Sequence, residues 1–265
     1  MKIGKRYAVA LVLGIIATLL TGTLSALACS RVVYHGLDNI VLTGRNMDWK
    51  EEMHTHLWAF PQGMKRNGMV GPHSLEWTAK YGSVIAASYD LATADGLNEK
   101  GWAANVLWLA ESVYPQWEPK NPDRPGLSIA AWPQYVLDNF STVSEAVNEL
   151  RQEKFAVVTD SAVGTSGLAT MHLSISDAAG DSAIFEYIDG KLVIHHDRAF
   201  TVMTNSPTFA KQLALAEYWE EIGGTVMLPG TNRAADRFVR GSLYINSLPK
   251  VPDLEFALAA AFSVL

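Results

Sequence analysis

Cysteine occurs once in 265 residues, at position 29. One thiol excludes an internal disulfide framework and the small cross-linked scaffolds built on such frameworks. Positive charge is also scarce. Against 27 Asp and Glu stand 21 Lys and Arg, a formal charge of −6. Nowhere do the cations gather into a stripe, so neither nucleic acid nor an anionic membrane is the expected partner. The chain carries no glycine-rich phosphate loop, no low-complexity tract and no internal repeat. His54 and His56 form an H-x-H that would share one face of a strand, but no third ligand is evident beside them. Surface histidines are the expected reading, and neither a metal nor a cofactor is implied. His195 and His196 are adjacent and would face opposite ways on a strand.

A long hydrophobic run is confined to the start. "MKIGKR" is a basic segment, "YAVALVLGIIATLLTGTLS" is apolar, and "ALA" at 26–28 is a small-x-small site. Together these read as a signal peptide over 1–28, giving an exported protein, periplasmic or secreted. An uncleaved membrane anchor is the second reading, because the apolar stretch is long; its polar breaks at Thr18, Thr21 and Thr23 favour cleavage. After removal, residues 29–265 remain. Losing Lys2, Lys5 and Arg6 takes the formal charge to −9. That acidity suits solubility, and no stable membrane insertion is expected of the mature chain.

Cleavage after Ala28 makes Cys29 the first residue. A residue at a new terminus is expected at the surface rather than in a core. Three readings are open. A lipoprotein also begins at cysteine, but its processing prefers a branched apolar residue where Ala26 stands. Such a chain would be a non-catalytic exported or binding protein. Alternatively, Cys29 is a nucleophile whose own α-amine, with a pKa of about 7.7–8.0, takes up the thiol proton. Accidental placement is the third. A Cys–His dyad using His35 or His172 is conceivable, but the terminal amine makes it unnecessary.

Downstream, Arg45 follows Cys29 by 16 residues and Asp48 by 19. "SRVVYHG" and "NIVLTGR" read as two strands joined by "GLDN", a hairpin that returns Arg45 and Asp48 to the thiol. Asp48 is then placed to orient the α-amine, and Arg45 to favour the thiolate. A surface ion pair accounts for the same spacing.

The chain resembles the choloylglycine hydrolase and penicillin V acylase family of N-terminal-nucleophile hydrolases, which cleave linear amides. An ordered series carries the resemblance: Cys29, "GRNMDW" at 44–49, "ADGLNEKGW" at 94–102, "TNSPTF" at 204–209, "LPG" at 228–230 and "ADRFVR" at 235–240. It implies Cys29 as nucleophile, Arg45 and Asp48 as its site partners, Asn205 as the support of oxyanion and amine, and Arg237 as the second site arginine. It implies a small amide substrate and a homo-oligomer, a tetramer in the family. Bile-salt-cleaving members carry an asparagine where this chain has Trp108. With Trp49, this places the chain near the Gram-negative penicillin V acylase branch, some of whose members take N-acyl homoserine lactones. Bile-salt hydrolysis is the alternative, and core packing would equally account for both tryptophans.

The pattern of elements is α+β, and the resemblance implies a four-layer αββα sandwich in one domain over 29–265. Members continue past "LAAAFSVL", so C-terminal strands are expected to be missing. Residues 81–90 and 101–110 read as strands flanking an "ADGLNEKG" turn. Residues 111–126 contain four prolines and read as a loop near the site. "LSIAAWPQYVLDNF" reads as helix on both sides of Pro133, and Thr142 with Glu145 as a capping box. Strands are expected in "ATMHLSISD", "SAIFEYI", "KLVIHHD" and "FTVMTN", then helices near 208–221 and 234–247 and from Asp253.

Overall fold

The computed structural model describes residues 29–265, apart from 121–122, 161–166 and 224–225. The leader expected over 1–28 lies outside the described residues. Two antiparallel sheets form the centre. The smaller has the order β14–β1–β2, with β1 Ser30–His35, β2 Val41–Asn46 and β14 Val202–Thr204. The larger has the order β13–β12–β11–β8–β7–β6–β3. Its strands are β3 Leu57–Phe60, β6 Ser83–Ser88, β7 Ala92–Asn98 and β8 Ala103–Trp108. They continue with β11 Met171–Ser176, β12 Ser182–Ile188 and β13 Lys191–His196. Two small pairs lie outside, β4 Lys65–Asn67 with β5 Glu76–Thr78, and β9 Gly126–Ser128 with β10 Ala156–Val158.

Helices close both outer faces. α1 Trp132–Asn139 and α2 Val143–Leu150 cover the larger sheet, burying Leu137, Val143 and Val147 against Leu173, Ile175 and Phe185. α3 Phe209–Ile222, α4 Ala234–Ser247 and α5 Leu254–Phe262 cover the smaller sheet, where Phe209, Phe238, Ile245 and Ala257 pack on Val32, Tyr34 and Val202. Leu107 and Ile184 of the larger sheet join this second core, so the sheets face each other. The architecture is the α+β, four-layer αββα sandwich of the N-terminal-nucleophile hydrolase type.

The β1–β2 hairpin pairs Ser30 with Asn46 and Arg31 with Arg45. Asp38 and Asn39 take positive φ in the connecting turn, a conformation their short polar side chains tolerate. Flanked on both edges and both faces, β1 is buried along nearly its whole length. Arg31 points from it into the gap between the sheets. Its guanidinium donates to Ser182 Oγ at 3.2 Å, Phe200 O at 3.2 Å and Ile175 O at 3.3 Å. Burial pulls its pKa down to about 9, which still leaves it a cation at neutral pH.

Three expectations need correction. Residues 94–101 are not a turn: β7 runs to Asn98, and only the last three residues turn. Gly96 sits in that strand because a Cβ there would come within 2.4 Å of Leu137 Cδ1, so α1 can approach closely. Pro133 does not divide a helix. Leu127 and Ser128 belong to β9, and α1 opens with Pro133 in its first turn, where no backbone donor is missed. At α2, Thr142 Oγ1 accepts from Glu145 N at 3.2 Å, as expected of the cap, but the Glu145 carboxylate returns to Ser141 N, one residue upstream.

Candidate active site

Cys29 immediately precedes β1, the middle strand of the smaller sheet. That position draws it inward. It is 4 % exposed. Its nitrogen donates to Asn205 Oδ1 at 2.8 Å. Asp48 lies close enough to Arg237 to support its charge.

Asn205 follows β14, the strand paired with β1 on the side opposite β2. Its amide is locked at both ends. Oδ1 accepts from Cys29 N and from Arg237 Nη2 at 3.1 Å, while Nδ2 donates to Trp108 O at 2.9 Å. Three partners of fixed polarity leave one orientation of the amide. Arg237 is no helix-surface charge. From α4 its Nη1 reaches Cys29 O at 2.7 Å and Ser30 Oγ at 2.5 Å. Burial lowers its pKa, against the support of Cys29 and Asp48.

Arg45 approaches from β2. Its charge acts on the Cys29 thiol, and Nη2 donates to Val106 O at 2.8 Å. Nη1 is paired with Asp95 Oδ2. Burial alone would lower the Arg45 pKa; Asp95 and Cys29 reverse this and raise it above the ordinary arginine value. Asp95 was part of the "ADGLNEKGW" motif but carried no expected role. A buried arginine requiring a counter-charge is the signal that points to it.

Trp49 and Trp108 face each other with ring centroids 5.4 Å apart at 42°. Trp108 closes β8, so its carbonyl holds Asn205 while its indole meets Trp49. The start of the proline loop is tied to the same corner: Ala110 N and Glu111 Oε2 both bind Ser206 Oγ, at 3.1 and 2.7 Å.

The histidines stand apart from this cluster. His35 ends β1, about 20 Å from Cys29 at the usual rise of a strand. His172 Nδ1 is 3.1 Å from Glu186 Oε1, in full burial. His54 and His56 precede β3 rather than sharing a strand face, and His56 Nδ1 lies 3.0 Å from Asp90 Oδ1. Among the described residues no group of three His, Cys, Asp or Glu could hold a metal ion, and no helix is long and apolar enough to cross a membrane. A cleft of about 390 Å³ lies on the α1 side of the larger sheet, among Phe60, Arg66 and Trp77. Its buried polar groups bind one another, as Arg66 binds Asp138 at 2.9 Å, and it shares no residue with the Cys29 cluster.

A thiol, two arginines and an asparagine at the start of a central strand, inside an αββα sandwich, define a hydrolase of linear amides. The family model described as "Linear amide C-N hydrolases, choloylglycine hydrolase family" matches residues 29–265, and the chain belongs to that family. It is 54 % identical over 270 residues to the penicillin V acylase of Pectobacterium atrosepticum, covering 94 % of this chain and 71 % of that protein. A solved penicillin V acylase from Agrobacterium tumefaciens is 61 % identical, with a TM-score of 0.82, covering 89 % of this chain and 71 % of that one. A conjugated bile acid hydrolase from Clostridium perfringens, at 24 % identity and a TM-score of 0.72, shares the fold, covering 88 % of this chain and 78 % of that one.

Proposed function

We propose that the chain is an exported penicillin V acylase-type amidase, a single domain over 29–265 that uses Cys29 as an N-terminal nucleophile. The observation that carries this reading is the hydrogen bond from Cys29 N to Asn205 Oδ1, within reach of Arg45 and Arg237. Cleavage after Ala28 turns that nitrogen into an amine. The amine takes the thiol proton, and the sulfur attacks the amide carbonyl to form a tetrahedral adduct. The second hydrogen of Asn205 Nδ2, not used on Trp108, faces the oxyanion. The proton passes from the Cys29 ammonium to the leaving amine as the C–N bond breaks. Water then adds to the thioester, losing a proton to the same amine, and the acid leaves as sulfur regains a proton.

Arg45 and Arg237 favour negative charge at the sulfur and at the adduct. Trp49 and Trp108 would receive an aryl or fatty acyl group, as apolar sites do. The names of the two acylase relatives support penicillin V as substrate, and the tryptophan pair supports N-acyl homoserine lactones beside it. Asparagine at position 108 would have supported bile-salt cleavage.

Intact mass of the exported protein, with penicillin V, N-acyl homoserine lactone and conjugated bile acid assayed in parallel, tests the reading. A mature start at Cys29 with a free thiol and acylase turnover is expected. A start elsewhere, or a lipid adduct on Cys29, would reject it.

A further inference from the structure

One side chain fixes the turn that carries Asn205. Gln212 lies in the first turn of α3 and is completely buried. Its Nε2 donates to Asn205 O and to Pro207 O, the latter at 2.6 Å. Its Oε1 accepts from Thr204 Oγ1 at 3.3 Å and Thr204 N at 3.5 Å. Both donors and both acceptor positions of one amide are therefore spent on residues 204, 205 and 207. Thr204 N and Asn205 O would otherwise be buried polar atoms without a partner, whereas the Thr204 hydroxyl also donates to Ala234 O at 2.8 Å. Glu186 Oε1 holds the far end of the same turn, accepting from Phe209 N at 2.9 Å.

We infer that Gln212 is a positioning residue for the amidase reaction: it sets the main chain of Asn205 so that Oδ1 meets the Cys29 nitrogen and Nδ2 meets Trp108 O. This rests on the amidase reading above. Gln212 touches neither Cys29 nor a substrate, so it acts through Asn205 alone. Its chemistry is specific. Two carbonyls require two N–H donors and Thr204 requires an acceptor, and among the twenty side chains of this length only glutamine supplies all three. A hydrophobic residue of similar volume would fill the space and leave the turn untied. A displacement on the order of 1 Å at a catalytic group costs about 10²-fold in rate.

The test compares Gln212→Met and Gln212→Glu with wild type, and with Lys211→Met as an exposed neighbour. Gln212→Met is expected to lower kcat on penicillin V about 100-fold while KM stays within about threefold. The pH profile of Cys29 alkylation by iodoacetamide supplies a readout that needs no turnover. An acceptor on the amine favours its charged form and with it the thiolate, so losing Asn205 Oδ1 shifts the alkylation midpoint to higher pH in Gln212→Met. In Gln212→Glu an ionised carboxylate opposes the two carbonyls and a protonated one satisfies one of them, so its rate relative to wild type should rise as pH falls. Lys211→Met should match wild type throughout. If folded Gln212→Met keeps wild-type kcat and alkylation profile, the inference fails. If Gln212→Met does not fold, Gln212→Glu decides, and a pH-independent ratio sinks it. Absence of turnover in wild type with Cys29 exposed as a free terminus would reject the amidase reading, while the alkylation profiles would still test Gln212.

Discussion

Asp95 divides its carboxylate between two neighbours: Oδ2 faces Arg45 Nη1 and Oδ1 accepts from Asn105 Nδ2 at 2.8 Å. The pair Arg45 and Asp95 joins the two sheets, β2 on one side and β7 on the other, directly behind the Cys29 thiol.

Asp95→Ala strands a guanidinium whose side chain is 7 % exposed. Breaking such a pair from one side costs about 3–5 kcal/mol. Urea unfolding should show an unfolding free energy lowered by that amount, and any folded fraction should lose at least tenfold in kcat. Unchanged stability would mean that water or another group already neutralises Arg45.

Cys29→Ala should leave the fold and remove all turnover, since alanine offers no nucleophilic atom. Cys29→Ser should retain on the order of 1 % or less, because a hydroxyl is a far poorer nucleophile than a thiolate at neutral pH. Thermal unfolding with steady-state assay separates the two effects.

Trp108→Ala should raise KM for penicillin V about tenfold, from lost aromatic contact with Trp49 and lost apolar area, with a smaller change in kcat. The Trp108 carbonyl that holds Asn205 survives the substitution, so a collapse of kcat would assign the indole a chemical role instead.

Glu186 predicts an acid limb of stability. Burial alone would raise its pKa, but hydrogen bonds from His172, His195 and Phe209 N hold it at about 2, below the ordinary 4.5. Above about pH 4.5 both folded and unfolded carboxyls are ionised and the stabilisation is complete. Below that, the unfolded chain takes up the proton first, and the stabilisation is lost as pH falls toward 2. Glu186→Gln should flatten this limb in thermal unfolding between pH 5 and pH 2; an unaltered slope would place the effect elsewhere.

The hairpin from Ser30 to Asn46 was legible because its strands hold β-branched and aromatic residues and its turn is built from Asp and Asn. Asn205 entered the site through the resemblance, since locally it reads only as the turn residue that ends β14. Arg237 came only through the resemblance, since nothing local distinguishes one helical arginine from another. Asp95 escaped because Ala92–Asn98 contains weak strand formers, with Asp, Gly and Asn reading as punctuation; pairing on both edges overrides that preference. Gln212 gave no local sign, because a buried glutamine on a helix differs from an exposed one only by what folds over it. Cys29 stood out as the one thiol behind the leader, but its partner Asn205 arrives 176 residues later, beyond any local pattern.

Arg31 ties its charge to three neutral oxygens, those of Ile175 and Ser182 on the facing sheet and of Phe200 in the connection to β14, and only Ser182 offers a side chain. Lysine, with one nitrogen, could not span the same separated acceptors. Substitution in this lineage should therefore come as a matched change: where position 31 turns apolar, position 182 should lose its hydroxyl in the same step. The two sites then form a pair whose shared history can be read from related sequences without any assay.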